Sequence, residues 1–154
     1  MRIVFGADHA GFGLKQSLLK YVRDTLGHEV ADVGTHSEES CDYPLYAVKA
    51  CELLLGGGAD LGVLICGTGI GISVAANKVA GIVAARCEDT YSAHMAREHN
   101  GANVLCLGAR VIGDGLAQDV VKVFLESTED PGANHARRRG LLRELDARRQ
   151  AEAQ

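Results

Sequence analysis

Apolar runs of five or six residues alternate with amphipathic stretches along the chain, and this alternation predicts strands and helices in turn. Arg2 to Ala7 reads as the first strand. The helix after it carries Leu14, Leu18 and Val22 on one stripe and is expected to turn Lys15, Lys20 and Arg23 to water before Gly27 ends it. Glu29 to Val33 is the second strand, and Pro44 suits the first turn of a helix running to the Gly56-Gly57-Gly58 breaker. Leu61 to Cys66 is the third strand, followed by a short helix to about Lys78. Gly81 to Arg86 is the fourth strand, and a helix from about Asp89 to His99 leads to the fifth, Asn103 to Leu107. A helix with Leu116, Val120, Val123 and Phe124 on one stripe comes next, and Pro131-Gly132 separates it from a terminal helix.

Strands alternating with helices imply a parallel sheet covered on both faces. The expected architecture is a three-layer α/β/α, Rossmann-like domain with a five-stranded parallel sheet, strands one and three adjacent, and a basic C-terminal helix. A chain of 154 residues is the size of one domain and buries about 70% of its unfolded surface. We therefore expect a single domain over 1–154, with about 150–154 as a frayed tail. Hydrophobic content of 47% with only 5% aromatic residues and 19 glycines suits an α/β core of Val, Leu, Ile and Ala.

The formal charge of −4 conceals an asymmetry, since six of the eleven arginines fall in the last 18 residues. That segment lacks an aromatic residue for base stacking and carries Glu144, Asp146 and Glu152, so a solvated helix face is favoured over a nucleic-acid patch. Cys41, Cys51, Cys66, Cys87 and Cys106 form no C-x-x-C pair, which argues for free thiols in a reducing compartment. The six histidines show no metal-ligand spacing, and no metal is expected. His28, His36 and His94 are expected to face solvent. No apolar stretch reaches the ~20 residues of a membrane span and no signal-peptide pattern opens the chain, so the protein is expected in the cytoplasm.

Candidate chemistry concentrates in Cys66-Gly67-Thr68-Gly69-Ile70-Gly71-Ile72-Ser73, which ends the third strand and opens an Ala-rich helix. Glycines at alternate positions allow backbone N–H groups to turn inward around an anion. A thiol at a helix N-terminus can be shifted toward the thiolate, and an oxyanion cradle beside a base suits proton abstraction next to a carbonyl. The spacing is neither the dinucleotide nor the P-loop pattern. The plainer alternative is a tight turn beside a buried small cysteine.

Open parallel sheets bind ligands outside the carboxyl ends of their strands where the winding reverses. Asp8 and His9 follow the first strand, Cys66 ends the third, Arg110 follows the fifth, and Asp42-Tyr43 follow the second after a loop. Asp8 could equally cap the next helix, His9 could be a partly exposed imidazole, and His99-Asn100-Gly101 could be a helix end.

The stretches Gly6-Ala7-Asp8-His9-Ala10-Gly11, Asp42-Tyr43-Pro44, Ile65 to Ser73, Ala75-Ala76-Asn77-Lys78 and His99-Asn100, in this order and spacing, resemble type B ribose-5-phosphate isomerases of the ribose/galactose isomerase family. The likeness spans about residues 1 to 149. It implies a cofactor-free and metal-free aldose–ketose isomerase of the pentose phosphate pathway, acting through an enediolate. By similarity Cys66 is the base, while Thr68 and the N–H groups of Gly67, Gly69 and Gly71 hold the oxyanion. His99, helped by Asp8, opens the furanose ring. Asp42, Tyr43, Ser73 and Asn100 line the sugar, and His9, Arg110 and Arg138 take the phosphate. The resemblance also implies a homodimer, or a dimer of dimers, with His99, Asn100 and Arg110 supplied across the interface. No nucleic-acid or membrane partner is expected. One departure stands out: the family often has Gly-Arg-His where this chain has Ala133-Asn134-His135, leaving Arg137 or Arg139 as the nearest replacements for a missing guanidinium. Another sugar phosphate, such as allose 6-phosphate or a four-carbon ketose phosphate, is therefore a rival substrate. A non-catalytic phosphosugar-binding domain is the remoter reading, and it needs neither Cys66 nor His99.

Overall fold

A computed structural model describes residues 1–152. Five parallel strands, β1 (Arg2–Ala7), β2 (Glu29–Asp32), β3 (Leu61–Cys66), β4 (Ala84–Arg86) and β5 (Val104–Gly108), form one sheet in the order β2-β1-β3-β5-β4. The helices are α1 (Phe12–Asp24), α2 (Tyr43–Leu55), α3 (Ile70–Ala76), α4 (Thr90–Glu98), α5 (Asp114–Glu126) and α6 (Ala133–Glu152), with a 3₁₀ turn at His9–Gly11. β1 and β3 are neighbours, with Ala7 opposite Ile65.

The pleat sends successive side chains to opposite faces, and each face has its own helical cover. Ile3, Phe5, Val63, Ile65, Leu105 and Leu107 pack toward Leu18 and Val22 of α1, Ala93 of α4 and Phe124 of α5. Val4, Leu64, Cys66, Val104 and Cys106 pack toward Ala47 and Cys51 of α2 and Ile72 of α3. Burial on both sides explains why β3 is apolar at every position.

Several elements differ from the sequence reading. Lys15, expected in water, is fully buried: its Nζ lies 2.5 Å from Asp32 Oδ2 and 5.7 Å from the Phe12 ring centre. The helical stripe of α1 is wider than the apolar positions suggest, because β2 presents a carboxylate to it. Leu116 is exposed, and the buried stripe of α5 is Ala117, Val120, Val121, Phe124 and Leu125. β4 starts at Ala84, because the Asn77 and Asn103 side chains take the backbone groups of Gly81, Val83 and Ala84 that a longer strand would use. α1 ends at Asp24, before the left-handed Gly27. The terminal helix continues through residues 150–152, whereas 153–154 of the expected tail lie outside the described residues. Among the described residues, no helix is long and apolar enough to cross a membrane.

Candidate functional site

The winding reverses between β1 and β3, so the chain leaves both strands at one crevice. Cys66 closes β3 with 4% of its surface exposed, and its Sγ accepts the Gly69 N–H at 3.1 Å. Burial pushes the thiols of Cys51 and Cys87 up to about 11 and that of Cys106 well above the ordinary range, which suppresses their nucleophilic forms. Cys66 differs from them in having a backbone donor at its sulfur.

The glycine loop fits its surroundings at three points. Gly69 has φ 74°, and a Cβ there would lie 2.9 Å from the Leu107 carbonyl carbon, so both conformation and space require glycine. A Cβ on Gly67 would meet the Arg110 guanidinium at 3.2 Å, and one on Gly71 would meet the Tyr43 ring at 2.8 Å. Arg110 and Tyr43 therefore flank the loop within one chain. The Thr68 hydroxyl accepts the Ile70 N–H at 3.3 Å. Ser73 turns its hydroxyl to the Ile70 carbonyl at 2.8 Å, which engages it within α3.

Asp8 is 6% exposed and caps the 3₁₀ turn, accepting the Gly11 N–H at 3.1 Å, while its own N–H donates to Ile65 O at 3.2 Å. The capping alternative is thus realised, and it holds the carboxylate beside the end of β3. His9 Nδ1 accepts the Cys41 N–H at 3.2 Å, which places the proton of a neutral ring on Nε2. That bond fastens the loop leading to Asp42, which stands at the N-cap of α2 without a side-chain capping bond.

His99, Asn100 and Arg138 lie elsewhere. A helix joining parallel strands returns to the amino edge of the sheet, and α4 ends there with His99 as its cap. Asn103 O accepts the N–H of Gly62, four residues before Cys66, which puts this edge roughly 13 Å from the thiol at ~3.3 Å per strand residue. The His99 ring meets His135 of α6 edge-on with centroids 3.9 Å apart, and Glu98 Oε2 lies 3.5 Å from His99 Nε2 and 3.4 Å from His94 Nε2. His94 is therefore not a solvated residue without a partner, since its Nδ1 also meets Ser127 Oγ at 2.8 Å. Asn100 lines a cavity of about 170 Å³ with Val83, Glu129 and Arg139. Arg138 is exposed on α6.

Arg139, expected as one replacement for the absent guanidinium at position 134, is engaged inside the fold. Its buried guanidinium donates to the carbonyls of Glu98, His99 and Asp130 at 3.3, 3.4 and 2.8 Å and pairs with Glu129 at 3.0 Å. Two residues near the candidate groups escaped the sequence reading. His135 was visible only as part of a departure from a motif. Arg86, at the carboxyl end of β4, donates from Nε to Thr68 O at 2.6 Å. Its position at a strand end facing the same rim was the available signal.

Residues 3–142 match the profile of the family described as Ribose/Galactose Isomerase. The chain is 45% identical to ribose-5-phosphate isomerase B of Escherichia coli over 148 residues, covering 96% of this chain and 98% of that one. It is 44% identical to D-erythrulose-4-phosphate isomerase 2 of Mycolicibacterium smegmatis over 85% of this chain and 88% of that one. Among solved structures, Clostridium thermocellum ribose-5-phosphate isomerase B superposes with a TM-score of 0.92 at 47% identity, covering 96% of this chain and 99% of that one. With this fold and this extent of match, the chain belongs to the ribose/galactose isomerase family and is an isomerase.

Proposed function

We propose that the protein interconverts D-ribose 5-phosphate and D-ribulose 5-phosphate as a homodimer with sites shared between subunits. The observation that carries this reading is the Cys66 sulfur with a backbone donor, at the β1/β3 crevice beside Asp8 and His9. The Cys66 thiolate takes the proton from C2 of the open-chain aldose, and the electron pair moves through C1 to O1. Thr68 and the N–H groups of the glycine loop hold the resulting enediolate, a role typically contributing about 10²- to 10³-fold. The thiol then returns its proton to C1 while the hydroxyl proton passes from O2 to O1, leaving the ketose. Before this, His99 protonates the ring oxygen and Asp8 accepts the anomeric hydroxyl proton, which opens the furanose.

His99 and Asp8 stand at opposite edges of one sheet, so this division of labour requires a second copy. Leu45 and Val48 of α2 and Ile70 and Val74 of α3 expose apolar surface on adjacent helices, as expected of a face covered by association. Asp42 and Tyr43 bound the sugar, Asn100 reaches it from the second copy, and Ser73 lines it from α3, where its hydroxyl is bonded to the Ile70 carbonyl. His9, Arg110 and Arg138 hold the phosphate. The four-carbon substrate in the name of the Mycolicibacterium smegmatis relative, together with the uncharged Asn134, favours a second reading in which another sugar phosphate is preferred. A coupled isomerase assay across aldose and ketose phosphates of four to six carbons tests both. The highest kcat/KM on ribose 5-phosphate is expected, and a tenfold preference for another sugar would reassign the substrate.

A further inference from the structure

The Thr68–Gly69 peptide is engaged at both of its polar ends. Its N–H points to Cys66 Sγ at 3.1 Å, and its carbonyl accepts the Arg86 guanidinium at 2.6 Å. We propose that Arg86 is a positioning residue for Cys66, fixing and polarising this peptide so that its N–H steadies the sulfur as a thiolate.

The proposal rests on Cys66 acting as the base. In a trans peptide the C=O and N–H dipoles point in opposite directions across one rigid plane. A cation at the oxygen therefore draws electron density away from the nitrogen and strengthens the N–H as a donor, the way hydrogen bonds in a chain reinforce each other. Hydrogen bonds with one ionised partner are roughly twice as strong as neutral ones, and here each end of the same peptide has one when the sulfur is anionic. Geometry makes the coupling specific. Gly69 has a left-handed φ of 74°, and a Cβ there would meet the backbone of Leu107 and Gly108 at 2.9–3.1 Å, so only glycine lets the peptide sit with its N–H at the sulfur. Arg86 closes β4, two strands from Cys66, and reaches the loop across the end of β5. Its Nη2 pairs with Glu88, a second contact that fixes the approach of the guanidinium.

The test compares Arg86→Met, Arg86→Gln and Arg86→Lys with wild type by kcat and KM on ribose 5-phosphate. It also measures, without substrate, the rate at which iodoacetamide alkylates Cys66, followed by mass spectrometry of its peptide. Arg86→Met is expected to lower kcat and the alkylation rate together by about 10-fold, leaving KM within threefold, with Arg86→Lys recovering at least half of both. Circular dichroism checks that each variant folds, and if Arg86→Met does not, Arg86→Gln carries the same expectation. A lower kcat with unchanged alkylation overturns the proposal. So does a raised KM with kcat preserved, which makes Arg86 a substrate ligand. If wild type fails to isomerise ribose 5-phosphate, the functional reading falls while alkylation alone still decides the role of Arg86.

Discussion

At the carboxyl rim of the sheet, the loops bearing Asp8, Cys66 and Arg110 are joined to one another by backbone bonds: Asp8 N–H to Ile65 O, Ala109 N–H to Cys66 O, and Arg110 N–H to Gly67 O. At the amino edge, His99 keeps a backbone bond to Met95 within α4, but α6 reaches it through side chains, with Arg139 on its carbonyl and the His135 ring against its own. Backbone bonds survive nearly any substitution, whereas a side-chain clamp depends on a few residues on α6. On the proposed function, the first region would hold the chemistry steady and the second would be the easier place to change what is bound. Asn134 belongs to the second region.

Removing the base is the severest way to break the rim. Cys66→Ala is expected to lower kcat by at least 10³-fold while the dissociation constant for substrate stays within a few-fold, measured by calorimetry alongside turnover, since a proton-transfer group acts on the transition state. Near-normal kcat would remove Cys66 from the mechanism. The link between the two regions is tested by mixing: inactive Cys66→Ala and His99→Ala chains, co-refolded in equal amounts, are expected to regain about a quarter of wild-type activity, because half of randomly paired dimers hold one intact shared site. Mixed dimers that stay inactive contradict sharing.

Smaller effects are expected at the amino edge itself. Arg138→Ala is expected to raise KM for ribose 5-phosphate by roughly 10- to 100-fold with a lesser effect on kcat, the loss of one charge-assisted phosphate contact. Asn134→Arg should lower that KM. If it instead impairs only a longer or shorter sugar phosphate, Asn134 sets specificity. Arg139→Met strips donors from three carbonyls at once and is expected to destabilise the protein by about 1–3 kcal/mol in urea unfolding, with Cys66 alkylation in the folded protein unchanged. An altered alkylation rate would mean that the two edges are mechanically coupled.

The contrast also explains what could be read from the chain. Alternating apolar runs and the spacing of Gly67, Gly69 and Gly71 located the β1/β3 crevice, because backbone conformation and two-sided burial leave marks on local sequence. The amino-edge position of His99 was implicit in the same pattern, since a helix between parallel strands must return. Lys15 was misplaced because its partner Asp32 lies on another element, and the amphipathic stripe of a single helix carries no information about a charge facing it. Arg86 escaped, and the carbonyl partners of Arg139 were not foreseen, for a related reason. An arginine at a strand end or in a basic helix looks solvated until the carbonyl that it meets is known.

The three glycines of the loop grade its tolerance to change. At Gly67 an added methyl meets only the end of a flexible arginine, which can swing aside; at Gly71 it meets an aromatic ring, and at Gly69 the backbone of a central strand together with a left-handed conformation. Divergence along this loop is thus open at its first glycine, where movement of Arg110 would alter the proposed phosphate contact, and closed at its second, where any side chain would unseat the peptide that faces the thiol.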